Sequence, residues 1–307
     1  MSHFLQSPAW KTFQESLGRS VVSNRGEGWE YQAIVESGAS NTRLYCPYGP
    51  TVSSLEAFDA AINSLRDEAI ARQATFLRIE PVGPLSASDL RKRGFKPVTY
   101  QQLQPAHTLV IDLTPSKDEI LAAMSQNSRN LTRNYAKKGL AIQTSDDPKD
   151  ITILTSLLSG VATRNHITPH GADYFKKQAA ALFPTKSAVL YYAVFEGTPI
   201  AAALVYDDAS TRYYAHAAAD DSYRKLSAGT ALVGQMILDA KDNGQTKFDL
   251  YSIASSDDPH HPWAGFTKFK RSFGGEPVTY LGAWDLPLKH LPYSLYRFYQ
   301  SLRRHLH

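Results

Sequence analysis

The same succession of hydrophobic patterns occurs twice along this 307-residue chain, and that repetition narrows the fold more than any other feature. In the first half, Tyr31 to Glu36 and Arg43 to Cys46 read as short strands. From about Ser54 to Arg72, Ala57, Ala61, Leu65 and Ala69 recur every four residues with Phe58 and Ile62 beside them, which is helical spacing. Thr75 to Pro81 then reads as a buried strand stopped by proline. In the second half, Ala188 to Phe195, Ile200 to Tyr206 and Arg212 to Ala218 form a meander around the turns Glu196–Pro199 and Asp207–Ser210. A helix from about Leu226 to Asn243 follows, stopped by Gly244, and Lys247 to Ile253 gives the next strand. Meander, helix, strand, repeated once, predicts two related α+β domains.

The length suits two domains of ordinary size. With 43% hydrophobic and 20% charged residues, each can bury a core. A single cysteine, Cys46, excludes a disulfide framework and a Cys-rich zinc site. Met1 to Gln6 lacks the basic and apolar regions of a secretory signal, and no apolar run approaches the roughly 18 residues of a spanning helix. These features predict a cytoplasmic protein. The net charge of +4 is mild, so the placement of the cations matters more than their sum.

Between the halves, Ser116-Lys-Asp-Glu119 has the form of a capping box and Gly139 that of a stop. The spacing predicts one helix between them. Ile120, Met124, Leu131 and Tyr135 share one face, and Arg129, Arg133 and Lys137, four apart, share the opposite one. Such cations form either a solvated outer face or a ridge that tracks phosphates.

Chemistry concentrates in Gly265-Phe-Thr-Lys-Phe-Lys-Arg-Ser-Phe-Gly-Gly275. Cations meet phosphates or a developing oxyanion, rings stack on unpaired bases, and a glycine pair allows close backbone approach. Composition alone fits equally an amphipathic edge followed by a turn. His260 and His261 lie in a polar stretch without a third metal ligand at diagnostic spacing.

This segment resembles the G-x-x-x-F-K-x-x-F-G-G stretch of the FemAB/FemX peptidyltransferases. Other stretches resemble the family in order: Phe4-Leu-Gln-Ser-Pro-Ala-Trp10, Tyr45-Cys-Pro-Tyr-Gly-Pro50, Phe76-Leu-Arg-Ile-Glu-Pro81, Gln104-Pro105 followed by Thr108 to Leu113, the basic stretch Arg129 to Lys138, and Phe248-Asp-Leu250. The resemblance implies an α+β fold of two tandem GNAT-like domains. The first would span residues 1–109 and 282–307, and the second 110–281. It implies transfer of an amino acid from aminoacyl-tRNA to the third-residue amine of a peptidoglycan stem peptide, carried by lipid II or UDP-MurNAc-pentapeptide. Aminoacyl-tRNA would be the co-substrate, with no cofactor and no metal.

By position, Lys270 would meet the tRNA acceptor end and stabilise the oxyanion, and Phe269 would pack against the terminal adenine. Arg129, Arg133, Lys137, Lys268 and Arg271 would hold tRNA phosphates. Thr168, His170 and Tyr174, within Ile167-Thr-Pro-His-Gly-Ala-Asp-Tyr174, would face the precursor together with Tyr214 and His216. His170 replaces an arginine of the family pattern, His216 a second tyrosine, and Gln14 a lysine. Partial charge on a histidine would make phosphate binding there pH-dependent.

Arg224-Lys-Leu-Ser-Ala-Gly229 approximates the pyrophosphate loop of acyl-CoA-dependent GNAT enzymes, with Ser227 in a glycine position. An acyl-CoA transferase is therefore the alternative reading, and a non-catalytic tRNA- or cell-wall-binding module a further one. The stretch 288–304 is aromatic and basic, and no acid follows Asp285. It suits either a terminal helix docked on the first domain or peripheral contact with the anionic inner face of the plasma membrane.

Overall fold

The computed structural model describes residues 3–38, 41–101, 103–165 and 170–306. It divides into two compact units, 1–106 with 279–307, and 107–278. Both are mixed α+β, each built on a seven-stranded sheet.

The first unit opens with a 3-10 turn, Phe4–Gln6, and α1 (Pro8–Ser16). Gln6 ties this start to the sheet. Its side-chain amide donates to the carbonyls of Gln32 (2.9 Å) and Pro47 (2.6 Å) and accepts from the Gln32 N–H (2.6 Å). Strands β1 (Ser20–Gly26), β2 (Trp29–Ser37), β3 (Thr42–Cys46) and β4 (Thr51–Val52) come next. Helix α2 (Leu55–Ala71) starts at Ser54, whose hydroxyl accepts from the Ala57 N–H. Its Ala57, Phe58, Ala61, Ile62, Leu65 and Ala69 are all buried, as their spacing requires. The unit continues through β5 (Phe76–Ile79), α3 (Ala87–Lys92) and β6 (Lys96–Pro97).

The second unit begins with β7 (His107–Asp112), α4 (Lys117–Ala123), α5 (Gln126–Asn134) and a 3-10 turn, Tyr135–Lys138. The single helix expected over 116–139 is thus broken. Ser116 and Glu119 do form the capping box. At Met124, however, the backbone turns extended (ψ 151°), and Ser125 caps a new helix through the Ser128 N–H. The break is stabilised by bonds that sequence periodicity does not contain: Ser125 N–H donates to the Ser272 carbonyl (2.8 Å) and the Ser128 hydroxyl to that of Ser272 (2.8 Å). Gly139 ends the segment in the left-handed conformation (φ 76°).

Then come β8 (Leu140–Ser145), α6 (Ile151–Asn165), α7 (Ala172–Leu182), β9 (Ala188–Phe195), β10 (Thr198–Asp207) and β11 (Thr211–Ala219). After a 3-10 turn over Asp221–Leu226 follow α8 (Ala228–Asp242), β12 (Lys247–Ser252), α9 (Ala264–Arg271) and β13 (Glu276–Thr279). The strand order is β13-β7-β12-β11-β10-β9-β8. Helix α8 covers one face and buries Leu232, Val233, Met236 and Ile237. Each such side chain contributes about 1.5–3 kcal/mol.

The chain then returns to the first unit. Strand β14 (Trp284–Pro287) inserts antiparallel between β5 and β6, and α10 (His290–Leu306) follows. Asp285 and Arg78, both fully buried, form an ion pair at 2.7 Å that fixes the insertion. Tyr100 and Tyr293 hydroxyls complete the carboxylate's partners at 2.9 and 3.1 Å.

Candidate active site

In the second unit, β11 and β12 are parallel neighbours only over Thr211–Tyr213 and Lys247–Asp249. Beyond that point β11 stays with β10 as far as Ala219, so the two parallel strands part. Asp249 lies at the divergence. The ladder between β12 and β7 slips between Asp249 and Ser252, where Tyr251 takes a left-handed backbone (φ 59°). That conformation is uncommon for a residue other than glycine, and here the Tyr251 N–H donates to the Asp249 carboxylate at 2.7 Å. Thr108 donates its hydroxyl to the same oxygen.

Helix α9 is tied to the end of β12 beside this divergence. Residues 265–275 form this helix and the turn after it rather than an extended edge. The Thr267 hydroxyl accepts from the Ala254 N–H at 2.8 Å, and Lys270 Nζ donates to the Ser252 carbonyl at 2.7 Å. Two side chains one turn apart therefore clamp the strand end to the helix. Gly274 and Gly275 have positive φ. A Cβ at Gly275 would lie 2.8 Å from the Val110 carbonyl oxygen, so the pair permits the close return to the sheet.

Lys270 is 1% exposed. Its ammonium lies 4.0 Å from the centre of the Phe266 ring and 5.9 Å from that of Tyr214. Burial pulls its pKa down to about 7, and the nearby Asp249 carboxylate offsets this only in part. Burial pushes Asp249 up to about 6 against the bonds from Thr108 and Tyr251. An amine in this setting changes charge near neutrality, beside a ring that favours its charged form.

Phe269 is half-buried, packs on Phe273 (centroids 5.3 Å apart) and lines a cleft of about 280 Å³ at the start of α8. The more exposed rings here are Trp263 (40%), just before α9, and Phe266 (47%). Sequence reasoning did not single out Phe266, Asp249, Thr108 or Ser252. Ser252 acts through its backbone, which no motif marks, and Phe266 lies within residues 265–275 but is distinguished only by its place over Lys270.

The cations divide. Lys268 is exposed, and Arg271 is paired with Asp257 at 2.7 Å. Arg133 faces Asp118 at 3.4 Å, and Arg129 donates to the Ala122 carbonyl at 3.2 Å. Lys137 is exposed in the turn after α5. Arg129 and Arg133 share a face of α5, which ends at Asn134, while Lys137 belongs to the tighter 3-10 turn that follows.

The residues expected to face the precursor do not form one group. Tyr214 and His216 are two apart on β11, and an uninterrupted strand would place them on the same face. The register shifts by one residue: Val205 pairs with Tyr214 and Leu204 with His216, which leaves Ala215 as a bulge. Tyr214 therefore faces the α8 side with Val205 and Lys270. His216 faces α7, with its ring centroid 5.0 Å from Phe175 and its Nε2 3.0 Å from the Tyr206 hydroxyl. That hydroxyl also accepts from the Gln178 amide at 2.7 Å. Burial holds the His216 pKa down to about 4, helped by His170. His170 is exposed and stacks on Tyr174 at 3.9 Å, 6.4 Å from His216. The structure thus gathers His170, Tyr174 and His216, and separates Tyr214 from them. Thr168 lies outside the described residues.

In the first unit, Gln14 is buried and its Oε1 accepts from Arg19 Nη1 at 2.7 Å, so this position orients an arginine instead of presenting a cation.

Two mixed sheets, the second with parallel strands that part at Asp249 and a basic helix tied to the end of one of them, define a tandem acyltransferase-like architecture. The chain matches a tandem GNAT protein of the clavulanic acid biosynthesis pathway at 14% identity and TM-score 0.53, over 88% of this chain and 83% of that one. It matches the FemX crystal structure more fully, at TM-score 0.85 and 18% identity over 95% and 94%. An L-PGS structure from Bacillus licheniformis matches at TM-score 0.61 and 13% identity over 98% and 97%. The FemAB family pattern matches residues 90–196 and 193–301, and the chain belongs to the FemAB family. No curated protein sequence matches it.

Proposed function

We propose that this protein is an aminoacyltransferase that moves an amino acid from aminoacyl-tRNA to the third-residue amine of a peptidoglycan stem peptide. Membership of the FemAB family supports a transferase of the peptidoglycan-bridge kind. The finer reading is carried by the setting of Lys270, a buried amine at the divergence of β11 and β12 whose fixed partner is a neutral carbonyl. The ester of an aminoacyl-tRNA is already activated, so its aminolysis needs a positioned amine and a cation for the oxyanion rather than a covalent nucleophile. In this reading the stem-peptide amine attacks the ester carbonyl and the C–N bond forms. The ester C–O bond then breaks, and the proton lost by the amine ends on the departing ribose oxygen. Lys270 as ammonium holds the tetrahedral oxyanion. Lys268, Lys137 and Arg129 hold acceptor-stem phosphates, and lipid II or UDP-MurNAc-pentapeptide is the acceptor.

An acyl-CoA transferase would place pyrophosphate in the cleft at the start of α8. Ser227 there adopts the left-handed backbone (φ 55°) that a glycine would favour. The cleft, however, is lined by Asp220 and Asp221, and Arg224 is turned toward Asp221 at 3.5 Å. Two carboxylates oppose a dianionic ligand, so the tRNA-dependent reading is preferred. The test is transfer of labelled amino acid from a pool of charged tRNAs to lipid- or nucleotide-linked muropeptide, with labelled acetyl-CoA in a parallel arm. Lys270→Met should reduce transfer from tRNA by at least about 10²-fold, the scale for loss of one oxyanion donor. Undiminished transfer by that variant, or label moving only from acetyl-CoA, would overturn the proposal.

A further inference from the structure

Helix α10 has two unlike faces. One packs on the first unit: the Tyr293 and Tyr296 rings lie 5.2 and 5.0 Å from that of Phe76, and the Tyr296 hydroxyl accepts from Arg43 at 3.2 Å. The other carries Leu291, Leu295, Phe298 and Leu302, exposed by 74, 63, 65 and 47%. Their spacing of four, three and four residues sets them in one stripe along the helix. Among the described residues, the large exposed hydrophobic side chains are Ile70, Trp263, Phe266 and five on α10, the fifth being Tyr299. Scattered apolar side chains need no explanation, but a continuous stripe on one helix marks an interaction surface.

We infer that α10 is a membrane-surface helix: its outward stripe enters the interface of an anionic phospholipid bilayer while its inward tyrosines keep it anchored to the protein. Charge selects this occupant. The segment from Lys289 onward contains Lys289, Arg297, Arg303 and Arg304, and no Asp or Glu follows Asp285. Pairing this face with a second copy of itself would bring two basic helices together with no carboxylate on either to neutralise them. Anionic headgroups supply that neutralisation, and the stripe supplies the apolar area that such helices insert to the depth of the headgroup–acyl boundary. No helix of the described residues is long and apolar enough to cross a membrane, so the contact lies along the surface. None of this depends on the donor of the transfer reaction, and the two readings can fail separately.

The experiment is flotation of the full chain with vesicles of phosphatidylglycerol and phosphatidylcholine, against vesicles of phosphatidylcholine alone, at low and high salt. The chain should float with the anionic vesicles and not the neutral ones, and high salt should weaken the association. The triple variant Leu291→Ser, Leu295→Ser, Phe298→Ser changes only exposed side chains, and its thermal transition reports that it folds. It should lose at least about tenfold in vesicle partitioning and keep its transfer to a nucleotide-linked acceptor. Equal flotation of the variant, or no flotation of the parent, would overturn the inference. So would a dimer, seen by sedimentation without vesicles, that the variant dissolves, because the stripe would then belong to a second copy.

Discussion

Replacing Lys270 by methionine should change how stability depends on pH, with a sign opposite to that of an ordinary salt-bridged lysine. The unfolded amine titrates at 10.5 and the buried one at about 7. Below pH 7 both states are protonated, and the folded protein carries the whole penalty of a buried charge. Between pH 7 and 10.5 the unfolded chain binds a proton that the folded one lacks, so stability rises with pH. Above 10.5 the penalty is gone. A span of 3.5 units corresponds to roughly 5 kcal/mol. That figure is an upper one, because the Ser252 carbonyl and the Phe266 ring both favour the ammonium, by about 1.5–3 and 0.5–2 kcal/mol for contacts of these kinds. The methionine variant has no such titration. It also strands the Ser252 carbonyl, at about 1–3 kcal/mol, but that cost is independent of pH. Urea unfolding of parent and variant should be compared from pH 7 to 9.5, above the Asp249 carboxyl at about 6. Over that range the parent should gain roughly 1–3 kcal/mol on the variant. Parallel pH curves for the two proteins would show that Lys270 is not held in a desolvated site and would remove the physical basis of its assigned role.

Asp285→Asn should destabilise the first unit by about 3–5 kcal/mol, because it leaves the fully buried Arg78 guanidinium without its counter-charge; a shift in denaturation midpoint worth less than 1 kcal/mol would contradict this. Gly234→Ala should cost about 1–3 kcal/mol, since the added methyl meets the Thr132 side chain where α8 packs on α5. Adding Thr132→Ala should recover most of that loss, and a double variant no more stable than the single one would place the strain elsewhere. If the exposed Lys137 and Lys268 hold tRNA phosphates, the pair Lys137→Ser and Lys268→Ser should lower the slope of log K against log salt by roughly 2. A filter-binding titration with an unchanged slope would remove both from the tRNA footprint.

The α+β class and the tandem arrangement were legible because hydrophobic periodicity is a local property. Ala57, Ala61, Leu65 and Ala69 mark the buried face of α2 by spacing alone. The meander over 188–218 shows in its runs of Val, Tyr and Ala and in the turn residues Glu196 to Pro199, where the backbone is indeed left-handed at Glu196 and Gly197. Periodicity also misled. Apolar spacing over 116–139 continues across Met124, but the backbone leaves the helix there, since Ser125 and Ser128 find partners at Ser272, which is distant in the chain. The family resemblance grouped Tyr214 with His216, and one bulged residue, Ala215, turns them to opposite faces.

The candidate site divides along the same line. Residue types can be read directly along the chain: a lysine between aromatic residues, a glycine pair to follow it, and an acid in the strand before it. Tertiary structure decided what each of them is. Lys270 is a buried amine rather than a solvated one because α9 holds it against the Ser252 carbonyl at the end of β12, near the rings of Phe266 and Tyr214. Its pKa comes from that desolvation, a property of the space around the atom, and no pattern along the chain encodes the dielectric of a cavity assembled from three distant segments. The outward stripe of α10 was written in the sequence. That its other face is occupied by Phe76, leaving the stripe to meet something else, was settled only when the chain came back to pair β14 with β5.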